Sequence, residues 1–368
     1  LILINNKNKD KYKKNIAQFL AYLWDIGIEA SHSTRTVKEC ISEGSKDITV
    51  ATSLLESRYI CGSKLMFGNL INKINENKSF WDNKDFYQEK IDEQIKRHSQ
   101  FNNTAYNLEP DIKNGPGSLR DFHTIFWLCK KFLGINYIEE LLNHSILTKK
   151  QLEQLIASRN FLALIRYKLH SLTKRAENRL LFEYQKQLAK HFNYEDRDHL
   201  LGVEYFMQDY YKSARTISRM NEIILQILNQ NFLKIKDTNA TDINQSFQIK
   251  NQLVGLKDDA SFEDRPALLL EIFLLFQKNK EIKGIDAKTI GLITNNLYLI
   301  DESFRKKTEH RNIFLEILKA PEGVTHELRR MNLYGVLGSY LPAFGLIEGR
   351  MQYDLFHAFT VDEHTLFV

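Results

Sequence analysis

Proline is scarce in this chain, with five residues among 368, at positions 110, 116, 266, 321 and 342. So few breaks leave long stretches free to be helical. Cysteine is scarcer: Cys40, Cys61 and Cys129 share no pair spacing, which argues against a disulfide framework or cysteine-rich zinc site and fits a reducing cytoplasm. No apolar run reaches the roughly 18 residues of a spanning helix, and no secretory leader opens the chain, so no membrane partner is expected. Neither sign of charge dominates: 51 Lys and Arg against 46 Asp and Glu leave a net +5. That permits contact with an anionic ligand but not a nucleic-acid coat, so no nucleic-acid partner is expected. Two further absences bear on chemistry. No Asp-x-Asp pair follows a Gly-Ser turn, and no His-Asp doublet occurs anywhere.

What is present is a mainly helical pattern behind a short α/β opening. Residues 1–4, Leu-Ile-Leu-Ile, read as a strand. Ile16, Phe19, Leu20, Leu23 and Trp24 follow at helical spacing. Ile26, Ile28 and Ala30 then alternate with polar or small residues as in a half-buried strand, with Glu29 on the opposite face. Thr36-x-x-Glu39 has the form of a capping box. From Asp47 onward the apolar spacing is helical, so strand is expected only in the first ~50 residues. Helices are expected over Phe86–Phe101, Leu119–Phe132, Lys149–Thr173, Leu180–Phe192, Val203–Phe232, Arg265–Gln277 and Arg311–Leu318. The polar run Lys234–Ser246 reads as an internal linker.

The densest motif is Asn107-Leu-Glu-Pro-Asp-Ile-Lys-Asn-Gly-Pro-Gly-Ser-Leu-Arg-Asp-Phe-His-Thr124. Glu109, Asp111, Lys113, Arg120 and Asp121 crowd around a Gly-Pro-Gly turn that opens into an apolar helix. Gly115 and Gly117 strip side chains from the backbone, and the helix start near Ser118 turns its positive end to the same place, so an anion such as a nucleotide phosphate is one expected occupant. A capped loop between two helices is the other reading. Asp196-Arg-Asp198 has the letters of a metal-binding pair but sits in a charged stretch without the Gly-Ser turn, and reads as a helix cap or loop.

This motif resembles the Glu-Pro-Asp-Ile-Lys-x-x-Pro-Gly-Gly-Leu-Arg-Asp signature of the bacterial PII uridylyltransferase/uridylyl-removing enzyme family, with Ser118 in place of the usual second Gly. Leu23-Trp-Asp-Ile-Gly-Ile-Glu-Ala-Ser-His-Ser-Thr-Arg-Thr36, Asp47-Ile-Thr-Val-Ala-Thr-Ser-Leu-Leu-Glu-Ser-Arg58 and Met351-Gln-Tyr-Asp-Leu-Phe-His-Ala-Phe-Thr-Val-Asp-Glu-His-Thr-Leu366 resemble it in the same order. The chain opens without Met and stops inside an apolar helical pattern, so a central fragment is expected. The resemblance implies the C-terminal remnant of an α/β nucleotidyltransferase domain over 1–105, a helical domain over 106–233, a helical connector over 247–350 and the start of an HD phosphohydrolase domain over 351–368.

The whole enzyme, on this resemblance, would uridylylate the PII protein from UTP with Mg²⁺ or Mn²⁺ and hydrolyse the UMP off again. Glutamine would act as effector through ACT domains absent here. The transferase Asp-x-Asp would fall before Leu1, so the fragment alone is expected to be inactive. Glu29 is the candidate third carboxylate and metal ligand, with Asp25 as the alternative. Lys113, Gly115, Gly117, Arg120 and Asp121 are the candidate nucleotide- or PII-binding residues, with Asp121 expected to orient Arg120 or cap the helix. Ser118 is expected to cap that helix. Arg35, Glu56 and Arg58 lie in the similar segments and suit phosphate contact or a surface ion pair. His364 is the candidate HD metal ligand and His357 the second choice, both expected on one helix face. Two other readings stay open: a non-catalytic helical scaffold with a degenerate transferase remnant, and a glutamine synthetase adenylyltransferase-like protein.

Overall fold

The computed structural model describes residues 1–368 except 29, 77–79, 198–199, 233–239, 354–356 and 368. The helices are α1 Lys13–Asp25, α2 Val37–Gly44, α3 Ile48–Leu55, α4 Lys64–Glu76, α5 Asn83–Ser99, α6 Leu119–Leu133, α7 Lys149–Thr173, α8 Phe182–His191 and α9 Gly202–Phe232. They continue as α10 Leu268–Lys278, α11 Ala287–Asn295, α12 Glu302–Lys306, α13 Thr308–Lys319, α14 Val324–Leu333, α15 Val336–Tyr340, α16 Pro342–Ile347 and α17 Val361–Phe367. Among the described residues no helix is long and apolar enough to cross a membrane.

The chain divides into two compact units, residues 1–93 with 127–134 and residues 94–126 with 135–368. In the first, β1 (Ile2–Leu3) pairs in parallel with β2 (Thr34–Arg35). Thr36 and Glu39 cap α2 reciprocally, with Glu39 N donating to Thr36 Oγ1 at 3.2 Å and Thr36 N to Glu39 Oε2 at 2.9 Å. Gly44 has no room for a side chain: a Cβ there would lie 2.5 Å from the Phe80 ring. The core around it gathers Cys40, Leu54, Leu70, Phe80 and Phe86. Lys90 is buried with its ammonium 4.3 Å from the Trp127 ring centre, a cation–π contact strengthened by the dry surroundings.

The second unit is built on α9, whose 31 residues run about 46 Å. Its buried stripe, from Val203 and Phe206 through Tyr210, Ala214 and Ile217 to Leu228, recurs at three- and four-residue steps and packs on α7 and α8. Further along, α10, α13 and α14 pack together, with the Arg330 guanidinium 3.6 Å from the Phe276 ring centre.

Two sequence expectations need correction. In place of the strand expected over Ile26–Ala30, Ile26 and Gly27 form a turn after α1 and neither Ile28 nor Ala30 is in a strand, with Ile26 and Ile28 exposed. The pairing partner of β1 lies at Thr34–Arg35, and Glu29 itself falls outside the described residues. Strand also occurs well beyond residue 50. Strands β3 (Thr241–Asp242), β4 (Phe247–Lys250), β5 (Leu253–Leu256) and β6 (Gly284–Ile285) form one sheet, antiparallel except for β5 with β6. Asn251 and Gln252, both at positive φ, make the tight turn between β4 and β5, as the twist of a two-residue hairpin requires. The run Lys234–Ser246 lies partly outside the described residues. Its later part is not structureless, because it carries β3 and a turn in which Asn244 Oδ1 accepts from Ser246 N and Phe247 N at 2.9 and 2.8 Å.

Candidate functional site

The Asn107–Thr124 motif lies in the second unit, threaded between two extended segments. On one side Leu108 N donates to Ala358 O and Thr360 N to Tyr106 O, both at 3.1 Å. On the other, Ile112 N donates to Asn178 O at 2.8 Å and Leu180 N to Pro110 O at 2.9 Å. Asp111 Oδ1 folds the chain back by accepting from Lys113 N (2.9 Å) and Asn114 N (2.7 Å), an Asx turn.

The N–H groups of this turn do not form an open anion cradle. Gly115 N donates to Asp111 O, Ser118 N to Gly115 O, Leu119 N to Ile112 O and Arg120 N to Lys113 O. Gly117 N donates to Asp121 Oδ2 at 2.7 Å. The glycines serve packing instead. Gly117 sits at φ +68°, and a Cβ there would lie 2.3 Å from Ala214 O of α9, so only glycine lets the turn touch that helix. Ser118 does not cap α6 through its side chain: its hydroxyl donates to Lys113 O at 2.7 Å and ties the loop to itself.

Asp121 is 1% exposed and faces Arg97 and His98, not Arg120. Arg97 Nη2 donates to its Oδ1 at 2.6 Å, and His98 Nε2 lies 2.9 and 3.0 Å from its two oxygens. Asn221 Nδ2 of α9 donates to Asp121 O at 3.3 Å. One carboxylate thus joins the end of α5, the turn and the start of α6.

The other face of the motif is basic. Lys113 and Arg120 stand with His123 of α6 and with Arg159 and Arg166 of α7, all partly buried. Burial, then Arg120 and Arg166, hold Lys113 below the ordinary lysine range, with Asp111 opposing them. Burial likewise lowers Arg166, against Asp111 and with Arg120. His123 is pushed down to about 4, first by burial and then by Arg120, Arg166, Arg159 and Lys113, so it is neutral at pH 7. The sequence reading found Lys113 and Arg120 but missed His123, Arg159 and Arg166. Arg159 and Arg166 are seven residues apart on one helix, hence on one face, which was the available signal.

His357 and His364 also meet in this unit, with ring centres 5.9 Å apart. They do not share a helix face, because His357 precedes α17 and only His364 is on it. Both are exposed. His357 lines a cleft of about 620 Å³ with Phe101, Glu109, Asp111, Arg179 and Phe182. Among the described residues no three His, Cys, Asp or Glu side chains converge in a way that would hold a metal ion. The two imidazoles therefore do not make a metal site by themselves.

The remaining candidates are dispersed. Asp25 is exposed at the end of α1. Arg35 lies in β2, while Glu56 and Arg58 are exposed just after α3, and among the described residues no ion pair joins them. Asp196 Oδ1 accepts from Gly202 N at 2.7 Å at the start of α9, and Asp198 falls outside the described residues.

Two family descriptions match the sequence: GlnD PII-uridylyltransferase over residues 85–225 and uridylyltransferase GlnD third domain over residues 247–340. Curated relatives named bifunctional uridylyltransferase/uridylyl-removing enzyme match along all of it. Identity is 44% to that of Nitrosococcus oceani, 41% to that of Hydrogenovibrio crunogenus and 42% to that of Methylococcus capsulatus. The chain spans 41–42% of the length of these relatives. No solved structure matches. With both family domains in order and 40–44% identity along its whole length, the chain belongs to the bifunctional uridylyltransferase/uridylyl-removing enzyme family.

Proposed function

We propose that the chain is a central segment of a cytoplasmic enzyme that transfers UMP from UTP to the PII protein and removes it by hydrolysis, under control by glutamine. The observation that carries this is the identity of 40–44% along the entire chain to relatives named for both activities. Residues 1–105 would close the transferase domain, 106–233 and 247–350 would be helical domains, and 351–368 would open the HD domain. Lys113 and Arg120 would meet UTP phosphates or the PII loop, with Gly115, Gly117 and Asp121 holding the turn that presents them. Glu29, or Asp25 in its place, would be the carboxylate of the transferase domain, and His364 would serve the removing site. The divalent ion of the reading is Mg²⁺ or Mn²⁺. Among the described residues no cluster of His, Cys, Asp and Glu completes a site for it.

The test is a pair of rates in the complete enzyme. Glu29→Ala and Arg120→Ala should depress UMP transfer, and His364→Ala should depress UMP removal, each leaving the other rate largely intact. Unchanged rates in all three variants would favour a non-catalytic scaffold. Transfer lost in Asp25→Ala but not Glu29→Ala would exchange their roles. The 368-residue chain alone should not label PII from radioactive UTP, since no Asp-x-Asp pair follows a Gly-Ser turn within it.

A further inference from the structure

Gln208, Tyr211 and Arg215 stand at i, i+3 and i+7 on α9, one row along about 10 Å of its axis. Gln208 Nε2 donates to Glu348 O at 3.1 Å, and Arg215 Nη1 to Glu348 Oε2 at 2.7 Å. Between them Tyr211 lies against Gly349, where a side chain would bring a Cβ to 3.0 Å from Tyr211 Cβ. The Tyr211 hydroxyl reaches the other way and donates to Asn107 O at 2.9 Å, with the Tyr106 ring centre 5.9 Å from its own. One row of side chains therefore holds two separate segments, residues 348–349 and residues 106–107.

These two segments carry the start of α17. Val361 N donates to Arg350 O at 2.8 Å, and Asp362 Oδ2 accepts from Gly349 N at 3.0 Å. From the other side Asn107 and Phe359 form an antiparallel bridge, closed by Leu108 N on Ala358 O and Thr360 N on Tyr106 O. His364 N then donates to Thr360 O at 2.8 Å, so its imidazole stands one helical turn from residues fixed by backbone bonds on both sides.

We propose that Arg215 is a positioning residue for UMP removal, acting through residues 348–350 and the first turn of α17 on the place of the His364 imidazole. Its guanidinium is 22% exposed and its partner Glu348 15%. It faces Glu348 of the loop, Asp362 of α17 and Tyr106 of the opposite segment, and its Nη1 also lies 3.5 Å from Asn332 Oδ1. A planar fork with several donors fixes the spacing of such groups, where a point charge on a flexible stem does not. Tyr211 supports the same place through Asn107. The inference rests on the reading of His364 given above and extends it to α9.

The experiment measures both rates of the complete enzyme together with amide hydrogen–deuterium exchange, read peptide by peptide. Arg215→Gln is expected to lower kcat for UMP removal from uridylylated PII about tenfold or more, since a small misplacement of a reacting group costs that much. KM for uridylylated PII and the rate of UMP transfer should stay within about twofold, because the Gly117 turn meets α9 at Ala214 and Ser218, beside this row and not on it. Peptides covering residues 357–367 should exchange faster, while the rest of α9 and α14 should not. Adding Glu348→Gln to Arg215→Gln should recover part of the removal rate, because it withdraws the carboxylate left without its cation. Arg265→Gln, an exposed arginine paired with Glu271, is the control and leaves both rates unchanged. If Arg215→Gln does not fold, Tyr211→Phe loses one hydroxyl and should show the same pattern at about two- to tenfold. Removal unchanged in the folded variant, removal and transfer falling together, or faster exchange spread over the whole unit would each overturn the proposal. His364→Ala is measured beside these. Removal lost in His364→Ala but kept in Arg215→Gln overturns this proposal alone. Removal that survives His364→Ala overturns the reading of His364, while faster exchange at residues 357–367 in Arg215→Gln would still establish the hold of Arg215 on α17.

Discussion

Replacing Asp121 by Ala removes a buried carboxylate that faces Arg97, His98 and Gly117 N together. Arg97 is 10% exposed in its side chain and keeps Asn114 O as its other partner, at 2.7 Å. Loss of the carboxylate strands this cation in a poorly hydrated place, at a cost of about 3–5 kcal/mol for breaking a buried pair from one side. Gly117 N loses its acceptor as well, worth about 1–3 kcal/mol. Both effects pass through the same side chain and do not add fully, so about 4–6 kcal/mol is expected for Asp121→Ala. That is a large part of the roughly 5–15 kcal/mol that holds a domain together. Asp121→Asn keeps one carbonyl acceptor but turns an amide donor toward other donors, and about 2–4 kcal/mol is expected. Urea unfolding followed by far-UV circular dichroism, with the slope compared between variants, measures both. An Asp121→Ala protein that unfolds within 1 kcal/mol of the parent, yet loses UMP transfer in the complete enzyme, would refute the structural role and make this carboxylate part of the functional site.

Two further expectations concern the same region. Gly117→Ala forces a side chain into left-handed backbone and against Ala214 O. It should cost about 2–5 kcal/mol, and a loss below 0.5 kcal/mol in thermal or urea unfolding would show that the turn can part from α9 freely. His123 gives a pH signature: its folded value near 4 lies below the ordinary 6.5, so the unfolded chain takes up the proton first. Stability should therefore fall as pH drops from about 6.5 to about 4, by at most about 3 kcal/mol at the low end. His123→Gln should lack that part of the decline. Parallel stability–pH curves for parent and variant would show that neither burial nor the surrounding cations hold the proton off His123.

Much of the helical framework could be read from periodicity. Lys149–Thr173 was expected to the residue, and Val203–Phe232 to within one residue of α9. Each carries many turns of apolar spacing, which outvotes local ambiguity. The sheet of the second unit was missed for the opposite reason. Its strands are four residues or shorter, and Phe247-Gln-Ile-Lys-Asn-Gln-Leu-Val lies beside a polar run that masks the alternation of Phe247 and Ile249. In the site, Lys113 and Arg120 were legible because they flank a turn with unusual residues. Gly117 was singled out for the wrong physics: local sequence shows that a side chain is absent, not that α9 occupies the space. Arg159 and Arg166 were passed over because a long helix with many charges offers no local sign of which face meets another segment. His123 was likewise silent, since only the fold gathers cations around it.

The first turn of α17 has a mechanical consequence. Asp362 and Glu363 are buried, and His364 beside them is exposed. Asp362 Oδ2 accepts from Gly349 N at 3.0 Å and Asn332 Nδ2 at 3.4 Å, while Glu363 pairs with Arg329 at 2.9 Å. Asn332 and Arg329 both belong to α14. A seven-residue helix gripped this way at its opening turn behaves as a pointer fixed to a shaft. A shift of α14 would reach the His364 backbone through Asn332 and Arg329, while Gly349 and Arg350 hold the same turn from the loop before it. A substitution at Arg329 or Asn332 therefore acts on where that imidazole stands, at a distance and through the backbone.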